Sequence, residues 1–445
     1  MKLFFVSLGC DKNRVDSEKM LAELIRHDFV LTDDALLAEL IIVNTCSFIR
    51  DAKEESIETI LEMAEMKKNG CCRYLIVAGC LAQRYEKEIL KEIPEVDAVV
   101  GTTAYDGISH VVQQVIKGEK VCWMRDRNYL PHGLDRVQTT PPHYAYLKIA
   151  EGCGKRCTYC SIPMMRGDYR SVPMEELLAE AAKLAGSGVK ELLIVAQETT
   201  LYGTDLYGKK MLPGLLRKLC LIDGIEWIRL LYCYPEEITE ELLLTIRQEK
   251  KICRYLDLPI QHCSDDILRR MGRRTDKKEL ENNIRQIRET IPDIAIRTTL
   301  ISGFPGETEK QHEACVAFVR EQRFDRLGVF PYSPEEGTPA AALDGQLSEE
   351  EKQKRADDIM QAEQDVIFQA NEACIGMRFD VIVDGFLPED SVYIGRTYRD
   401  APDIDGCVFF YSERDIVSGT IVPVCITKAN GYDLIGEIEK EEETT

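Results

Sequence analysis

Short, almost wholly apolar runs recur through the first 120 residues, each parted from the next by a charged stretch with helical spacing. The runs are "LFFVSLGC", "LIIVNTC", "YLIVAGC" and "DAVVGT", and "EESIETILEMAEMKKNG" is typical of what separates them. Continuous rather than alternating apolar strands imply burial on both faces, and helices between them imply a parallel sheet. The pattern predicts a doubly wound α/β domain over residues 1–118. A polar passage ending in Pro-Pro, "RDRNYLPHGLDRVQTTPP", reads as a linker. Beyond it, over 139–370, the alternation resumes with six strand candidates: "YAYLKIAEGC", "ELLIVAQETT", "WIRLLYCYP", "YLDLPIQHC", "AIRTTLISGFPGE" and "RLGVFPYSP". Six such units predict a partial (β/α) barrel with its active site at the C-terminal ends of the strands. "LSEEEKQKRADDIMQAEQDVIFQANEACIGM" then reads as one long helix, opened by a capping box of Ser348 and Glu351 and stopped at Gly376. Over 373–439 the strands turn short, and Phe379, Val381 and Val383 alternate with Asp380 and Asp384. This predicts a small antiparallel β-barrel, followed by a solvated, frayed tail, "EKEEETT".

Length and composition sharpen this picture. A chain of 445 residues exceeds what one core serves, in line with three domains. No apolar stretch approaches the roughly 20 residues of a membrane span, and "MKLFFVSLGC" is too short an apolar run, with too early a Gly, for a signal peptide. A cytoplasmic protein with no membrane partner is expected. The net charge of −21, from 77 acidic and 56 basic residues, repels phosphate backbones and attracts basic partners. The terminal barrel shares this bias, with 11 Asp or Glu against 5 Lys or Arg over 376–438. In a reducing compartment, 17 cysteines point to metal ligation or redox chemistry for some and to small buried hydrophobes for the others.

Six cysteines stand out by position. Cys153, Cys157 and Cys160 form a C-x-x-x-C-x-x-C run in "EGCGKRCTYCSIPMMRG", just after the first barrel strand. Three thiolates at this spacing can hold three irons of a 4Fe-4S cluster and leave the fourth iron open, while Gly152 and Gly154 let the loop wrap the cluster. Half of a zinc site is the competing reading, although the next cysteine, Cys220, has no near pairing partner. Cys10, Cys46 and Cys80 each end a predicted strand, about 35 residues apart, at the sheet edge where open α/β folds bind ligands. Singly each could be a small buried residue; together they suggest a second cluster site. Cys71 and Cys72 fall at a helix-to-strand turn and read as spare thiols. "GFPGE", Gly303 to Glu307, could admit a ligand close to the backbone or be an ordinary turn. Gln197 and Glu198, ending the second barrel strand, could reach a cofactor or simply cap the strand. His110, His132, His143, His262 and His312 show no metal spacing, and His27 lies in a helix.

The run at Cys153, Cys157 and Cys160 resembles the radical S-adenosylmethionine superfamily, with Tyr159 at its habitual aromatic position and "GFPGE" where a turn helps hold the cofactor. Nearly the whole chain is similar to the methylthiotransferases, through "SLGCDKNRVDSE", "VNTCSFI", "VAGCLAQRY", "EGCGKRCTYCSIPMMRG", "ISGFPGET" and "GRTYRDAPDIDG". The resemblance implies a radical SAM core with a TRAM-like terminal barrel, two 4Fe-4S clusters on the two cysteine triplets, and S-adenosyl-L-methionine. Tyr159, Gln197, Glu198, Gly303, Pro305, Gly306 and Glu307 would contact that cofactor, and flavodoxin or ferredoxin would supply the electron.

Two branches of that family compete. One modifies a tRNA adenosine (the MiaB/MtaB type); the other, the RimO type, modifies the β-carbon of an aspartate in small-subunit ribosomal protein twelve. "YRDAPDIDG" and "QETTLYGTDLYG" are similar to the RimO type. The acidic barrel agrees, since Asp400, Asp403 and Asp405 would draw a basic ribosomal protein and disfavour tRNA. A non-catalytic iron-sulfur binding protein is the outside alternative. Asp11 replaces the family's usual Pro, and Glu198 its usual Asp, which bears on the geometry of cofactor contact.

Overall fold

The computed structural model describes residues 1–438, and the tail read as frayed, 439–445, lies outside the described residues. The first sheet is parallel throughout, in the order Val30–Leu31, Lys2–Ser7, Leu40–Thr45, Tyr74–Gly79, Ala98–Val100, Val121–Trp123. Alternate residues of each strand serve opposite faces. Leu40, Ile42 and Ile76 pack with helices Asp11–Arg26 and Ile108–Ile116, whereas Ile41, Val43, Leu75 and Val77 pack with helix Arg50–Asn69. Burial on both sides is why these strands carry unbroken apolar runs. Two short strands escape that signal: exposed Val30–Leu31 at one edge, and Val121–Trp123 at the other, just past residue 118.

The second sheet runs Arg326–Pro331, Ala295–Ser302, Ile252–Asp257, Trp227–Leu230, Glu191–Val195, Tyr144–Lys148, all parallel and each beside its neighbour in sequence. This is the partial barrel. Its inward-facing residues, among them Tyr144, Tyr146, Leu193, Val195, Leu231 and Tyr255, meet Val15 from the first domain and Ala401 from the third. Helix Glu349–Glu372 follows. Ser348 Oγ accepts from the Glu351 amide at 3.2 Å, but the Glu351 carboxylate turns to Arg355 Nε at 2.8 Å, so half of the expected capping box forms.

Strands Arg378–Leu387, Val392–Arg396, Val408–Tyr411, Ile421–Asn430 and Asp433–Ile438 close a small barrel around Val381, Val383, Val408, Phe410 and Val424. One pairing departs from the antiparallel expectation. The last hairpin folds back so that Asp433–Ile438 lies parallel to Val408–Tyr411.

The segment from Arg396 to Asp405 underlies the core. All six core strands send a residue to it. Tyr144 Oη donates to Asp403 at 3.3 Å, Tyr255 Oη to Asp405 at 2.7 Å, and Arg229 Nη1 to the Tyr398 carbonyl at 2.5 Å. Arg326 pairs with Asp400, Arg297 Nε lies 3.4 Å from Asp405, and Glu191 pairs with Arg396 Nη1 at 2.7 Å. This corrects the sequence expectation for two of the three: the Asp400 and Asp405 carboxylates are buried against core arginines and tyrosines and join two domains, whereas Asp403 is exposed and accepts from Tyr144. Their spacing in sequence resembles that of a solvated acidic loop, and only the fold shows the cations beneath. No described helix is long and apolar enough to cross a membrane.

Candidate active site at a domain seam

Cys153, Cys157 and Cys160 lie in the loop after the short strand Ala150–Glu151. Gly152 opens that loop at φ +78°, where a Cβ would fall 2.1 Å from the Asp168 carbonyl oxygen, so glycine is required on both conformational and steric grounds. The Cys153 amide donates to the Gly167 carbonyl at 3.1 Å, and the Thr158 amide to that of Met271 at 2.9 Å, which fixes both ends of the loop. Burial pushes the Cys153 thiol up to about 11. Burial, together with the neighbouring Cys157 and Cys153 thiols, raises Cys160 further. Tyr234 Oη comes within 3.9 Å of the Cys157 sulfur, and Arg273 stacks on the Tyr234 ring at 4.3 Å. Tyr159 packs toward Phe304 and Met271.

Cys10, Cys46 and Cys80 follow three adjacent parallel strands, Lys2–Ser7, Leu40–Thr45 and Tyr74–Gly79. Gly9, at φ +83°, passes so close that a Cβ there would sit 2.9 Å from the Cys46 sulfur. Burial pushes Cys46 up to about 12, with the thiols of Cys80 and Cys10 adding to it. Cys80 is raised by burial too, against the pull of Arg166. The fold thus brings these three together as it does the other three.

The donor chemistry fits an iron-sulfur cluster. Burial makes Cys46, Cys80, Cys153 and Cys160 resist ionisation on their own, and a bound cationic metal centre reverses that resistance. A single tetrahedral zinc would hold its sulfurs about 3.8 Å apart. Among the described residues, neither triplet brings its three sulfurs within 4.8 Å of one another, as one ion would need.

A buried ionic cluster that sequence reasoning missed ties the segment after Cys160 to the triplet of Cys10, Cys46 and Cys80. Arg166 ends the helix Ile162–Arg166 just beyond Cys160. Its Nη1 donates to Asp16 and to Glu151, each at 3.0 Å, its Nη2 to Asn13 at 3.2 Å, and it also hydrogen-bonds Cys80. Lys148 pairs with Asp16 and, at 2.7 Å, with Glu151. Burial opposes ionisation of Glu151, but Arg166 and Lys148 outweigh it and hold the carboxyl well below the usual range. All four residues lie inside stretches that the sequence singles out, Glu151 and Arg166 in one cysteine motif, Asp16 in another and Lys148 in a predicted strand; that they pair was not legible. Nearby, Tyr232 sits at φ +58°, a conformation a tyrosine rarely adopts. Its hydroxyl donates to Asp11 at 3.3 Å, and Lys12 lies 3.2 Å above its ring. Asp11, the departure noted above, is therefore part of the seam.

Gln197 donates to Glu151 at 2.8 Å, leaving its buried Oε1 without a partner. Glu198 accepts from the amide and hydroxyl of Thr200 through Oε1, while Oε2 is buried and unpartnered. Burial pushes this carboxyl up to about 7. Gly303, Pro305, Gly306 and Glu307 form a turn that Glu307 itself closes, its Oε2 accepting from the amides of Gly303 at 2.6 Å and Phe304 at 3.1 Å. The space a Cβ would take at Gly303 is filled by Lys352, and at Gly306 by Arg270, so these glycines make room for protein side chains. His262, Cys263 and Cys315 also converge within 4.8 Å. His262 Nδ1 accepts from the Ser264 amide at 2.9 Å, which places the proton on Nε2, and the group is packed within the core.

Comparison with known proteins agrees with this geometry. Family profiles match over residues 2–101 (uncharacterized protein family UPF0004), 147–319 (radical SAM superfamily) and 375–438 (TRAM domain). The fold is similar to that of the radical S-adenosylmethionine methyltransferase TsrM from Kitasatospora setae, with a TM-score of 0.54 and 14% identity over 85% of this chain and 79% of that one. The cobalamin-dependent radical enzyme OxsB gives 0.51 with 12% identity, over 82% of this chain and 57% of that one. Barrel, cysteine loop and appended domains together define a radical SAM methylthiotransferase. Proteins named ribosomal protein uS12 methylthiotransferase RimO are 58% identical in Lachnoclostridium phytofermentans, over 99% of this chain and 100% of that one. The counterpart in Acetivibrio thermocellus is 50% identical over 99% of each. The chain belongs to this RimO family.

Proposed function

We propose that this protein places a methylthio group on the β-carbon of an aspartate in ribosomal protein uS12, in the cytoplasm. The observation that carries the proposal is the pair of cysteine triplets, one in the loop that leads to Arg166 and the other containing Cys80, which Arg166 hydrogen-bonds. Cys153, Cys157 and Cys160 would hold one [4Fe-4S] cluster and Cys10, Cys46 and Cys80 the second. With S-adenosylmethionine bound, such clusters supply the radical and sulfur chemistry needed to functionalise an unactivated C–H bond.

The remaining work falls to the chain's own side chains. Gln197 Oε1 and Glu198 Oε2 offer unpartnered acceptors to the donor groups of S-adenosylmethionine. The Arg166 cluster keeps the two triplets in register and water out of the seam. On the terminal barrel, Asp380, Glu389, Asp390, Glu413, Asp415 and Glu437 are exposed, and they would attract a basic ribosomal protein. Two of that barrel's five basic residues, Arg396 and Arg399, are buried in ion pairs with Glu191 and Asp325, which leaves little to hold tRNA. Flavodoxin or ferredoxin would donate the electron.

Mass spectrometry of uS12 and of tRNA from a strain lacking the gene is the direct test. The uS12 peptide is expected to lose the methylthio group while tRNA keeps its own; the reverse pattern would make this a tRNA enzyme. A second prediction concerns Glu198. Its raised pKa means that the folded state favours the neutral acid, a contribution to stability present at low pH and lost as pH rises through about 7. Ligand hydroxyls donate to the ionised form. Affinity for S-adenosylmethionine should therefore rise from pH 6 to 8, by up to about tenfold per unit below the pKa, and Glu198→Gln should flatten the profile in equilibrium titrations.

A further inference from the structure

We infer that a crest of the cysteine loop and the cations around it form the docking site for an acidic one-electron carrier protein, a partner of the site assigned under Proposed function. Gly154 and Arg156, between Cys153 and Cys157, are exposed, and a Cβ built on Gly154 meets nothing within 4 Å. The crest is thus an exposed stretch of the loop whose Cys153 and Cys157 are themselves buried.

Two basic segments flank this crest. On one side, Thr158 donates through Oγ1 to the Arg270 carbonyl at 2.7 Å and through its amide to that of Met271, so the segment Arg269–Arg274 lies against the loop. On the other, Lys155 and Lys210 share the Glu237 carboxylate, which brings Lys209 and Lys210 alongside. Most local charges cancel: Arg156 pairs with Asp168, Lys155 and Lys210 with Glu237, and Arg269 with Asp266. Lys209, Arg270 and Arg274 have no carboxylate partner within 4 Å among the described residues. Uncompensated cations on a chain of net charge −21 make a local attractive patch in a field that otherwise repels acidic proteins. Such a patch steers an acidic partner to one orientation and accelerates encounter.

Electron transfer slows steeply with distance, and a carrier seated on this crest would touch the very loop that carries Cys153, Cys157 and Cys160. The step makes and breaks no bond. The reduced carrier loses one electron, that group gains it, and the carrier leaves oxidised by one electron.

The test uses the full chain reconstituted with iron and sulfide, purified flavodoxin as the acidic flavin carrier, and dithionite as a carrier-independent reductant. In the double variant Lys209→Glu/Arg274→Glu, half-saturating flavodoxin should rise about tenfold or more, with a flattened salt dependence, while dithionite-driven deoxyadenosine formation stays within about twofold of wild type. Lys209→Gln/Arg274→Gln should give a smaller shift in the same direction. Equilibrium binding of flavodoxin to the same proteins measures docking without turnover, so an inactive wild type under dithionite would count against the proposed function alone. Unchanged flavodoxin affinity overturns the docking site, as does parallel loss of both reductant activities in both variants. Loss of affinity for small-subunit RNA with flavodoxin binding intact would assign the patch to RNA instead.

Discussion

Replacing Cys153, Cys157 and Cys160 together by alanine is expected to lower bound iron from about eight to about four per chain and to reduce deoxyadenosine formation by about a thousandfold or more, to background. Burial, with the neighbouring thiols adding to it, raises the pKa of Cys153 and Cys160. Without a metal centre the loop would concentrate groups that repel as they ionise. The complementary triple variant at Cys10, Cys46 and Cys80 should also keep about four irons, yet it should still cleave S-adenosylmethionine and yield no methylthiolated product. Iron assay and chromatography of the two reactions check both halves. If either triple variant retained the full iron content, two independent clusters would be ruled out.

The second large effect is at Arg166. Removing its guanidinium leaves Asp16 and Glu151 facing each other in a buried seam with Lys148 as their shared cation. Breaking a buried ionic cluster in this way costs about 3–5 kcal/mol. Arg166→Leu should therefore lower the denaturant midpoint sharply, and Arg166→Lys should fall between, since a lysine keeps the charge but loses the fork that reaches Asp16, Glu151 and Asn13 at once. The pH profile follows with a definite sign. Glu151 is held ionised below its ordinary range, so its contribution is present above the ordinary carboxylate pKa and fades as pH falls below it. In Arg166→Leu that acid-side loss should shrink. An equal midpoint for wild type and Arg166→Leu would show that the seam does not depend on this arginine.

Features that depend on local periodicity were legible in the sequence. Four strands of the first sheet and all six of the second were legible because covering both faces makes their runs mostly apolar. Cys153, Cys157 and Cys160 stood out by their spacing, and Cys10, Cys46 and Cys80 because strand ends in a parallel sheet share one edge. Pairing between distant charges was not. Asp400 and Asp405 read as a solvated acidic stretch until Arg326, Arg297 and Tyr255 are found against them. Asp16 lies on an amphipathic helix, and nothing local says that Lys148 will meet it. The glycines of "GFPGE" were recognised as positions of close approach, but the approaching atoms belong to Lys352 and Arg270. The parallel pairing of Asp433–Ile438 with Val408–Tyr411 depends on how the last hairpin folds over the barrel, which alternation along single strands does not encode.

The segment from Arg396 to Asp405 acts as a floor. With it bonded to the core strands and Ala401 packed among their inward-facing residues, the proposed cofactor and protein substrate would enter at the opposite mouth, beside the cysteine loop. Sharing that mouth would make their traffic sequential: the small cofactor would enter before the bulky ribosomal protein covers it, and spent cofactor would leave after that protein lets go. A short peptide carrying the target aspartate would not cover the mouth or reach the acidic barrel, so the enzyme should work on whole uS12 far better than on its fragments.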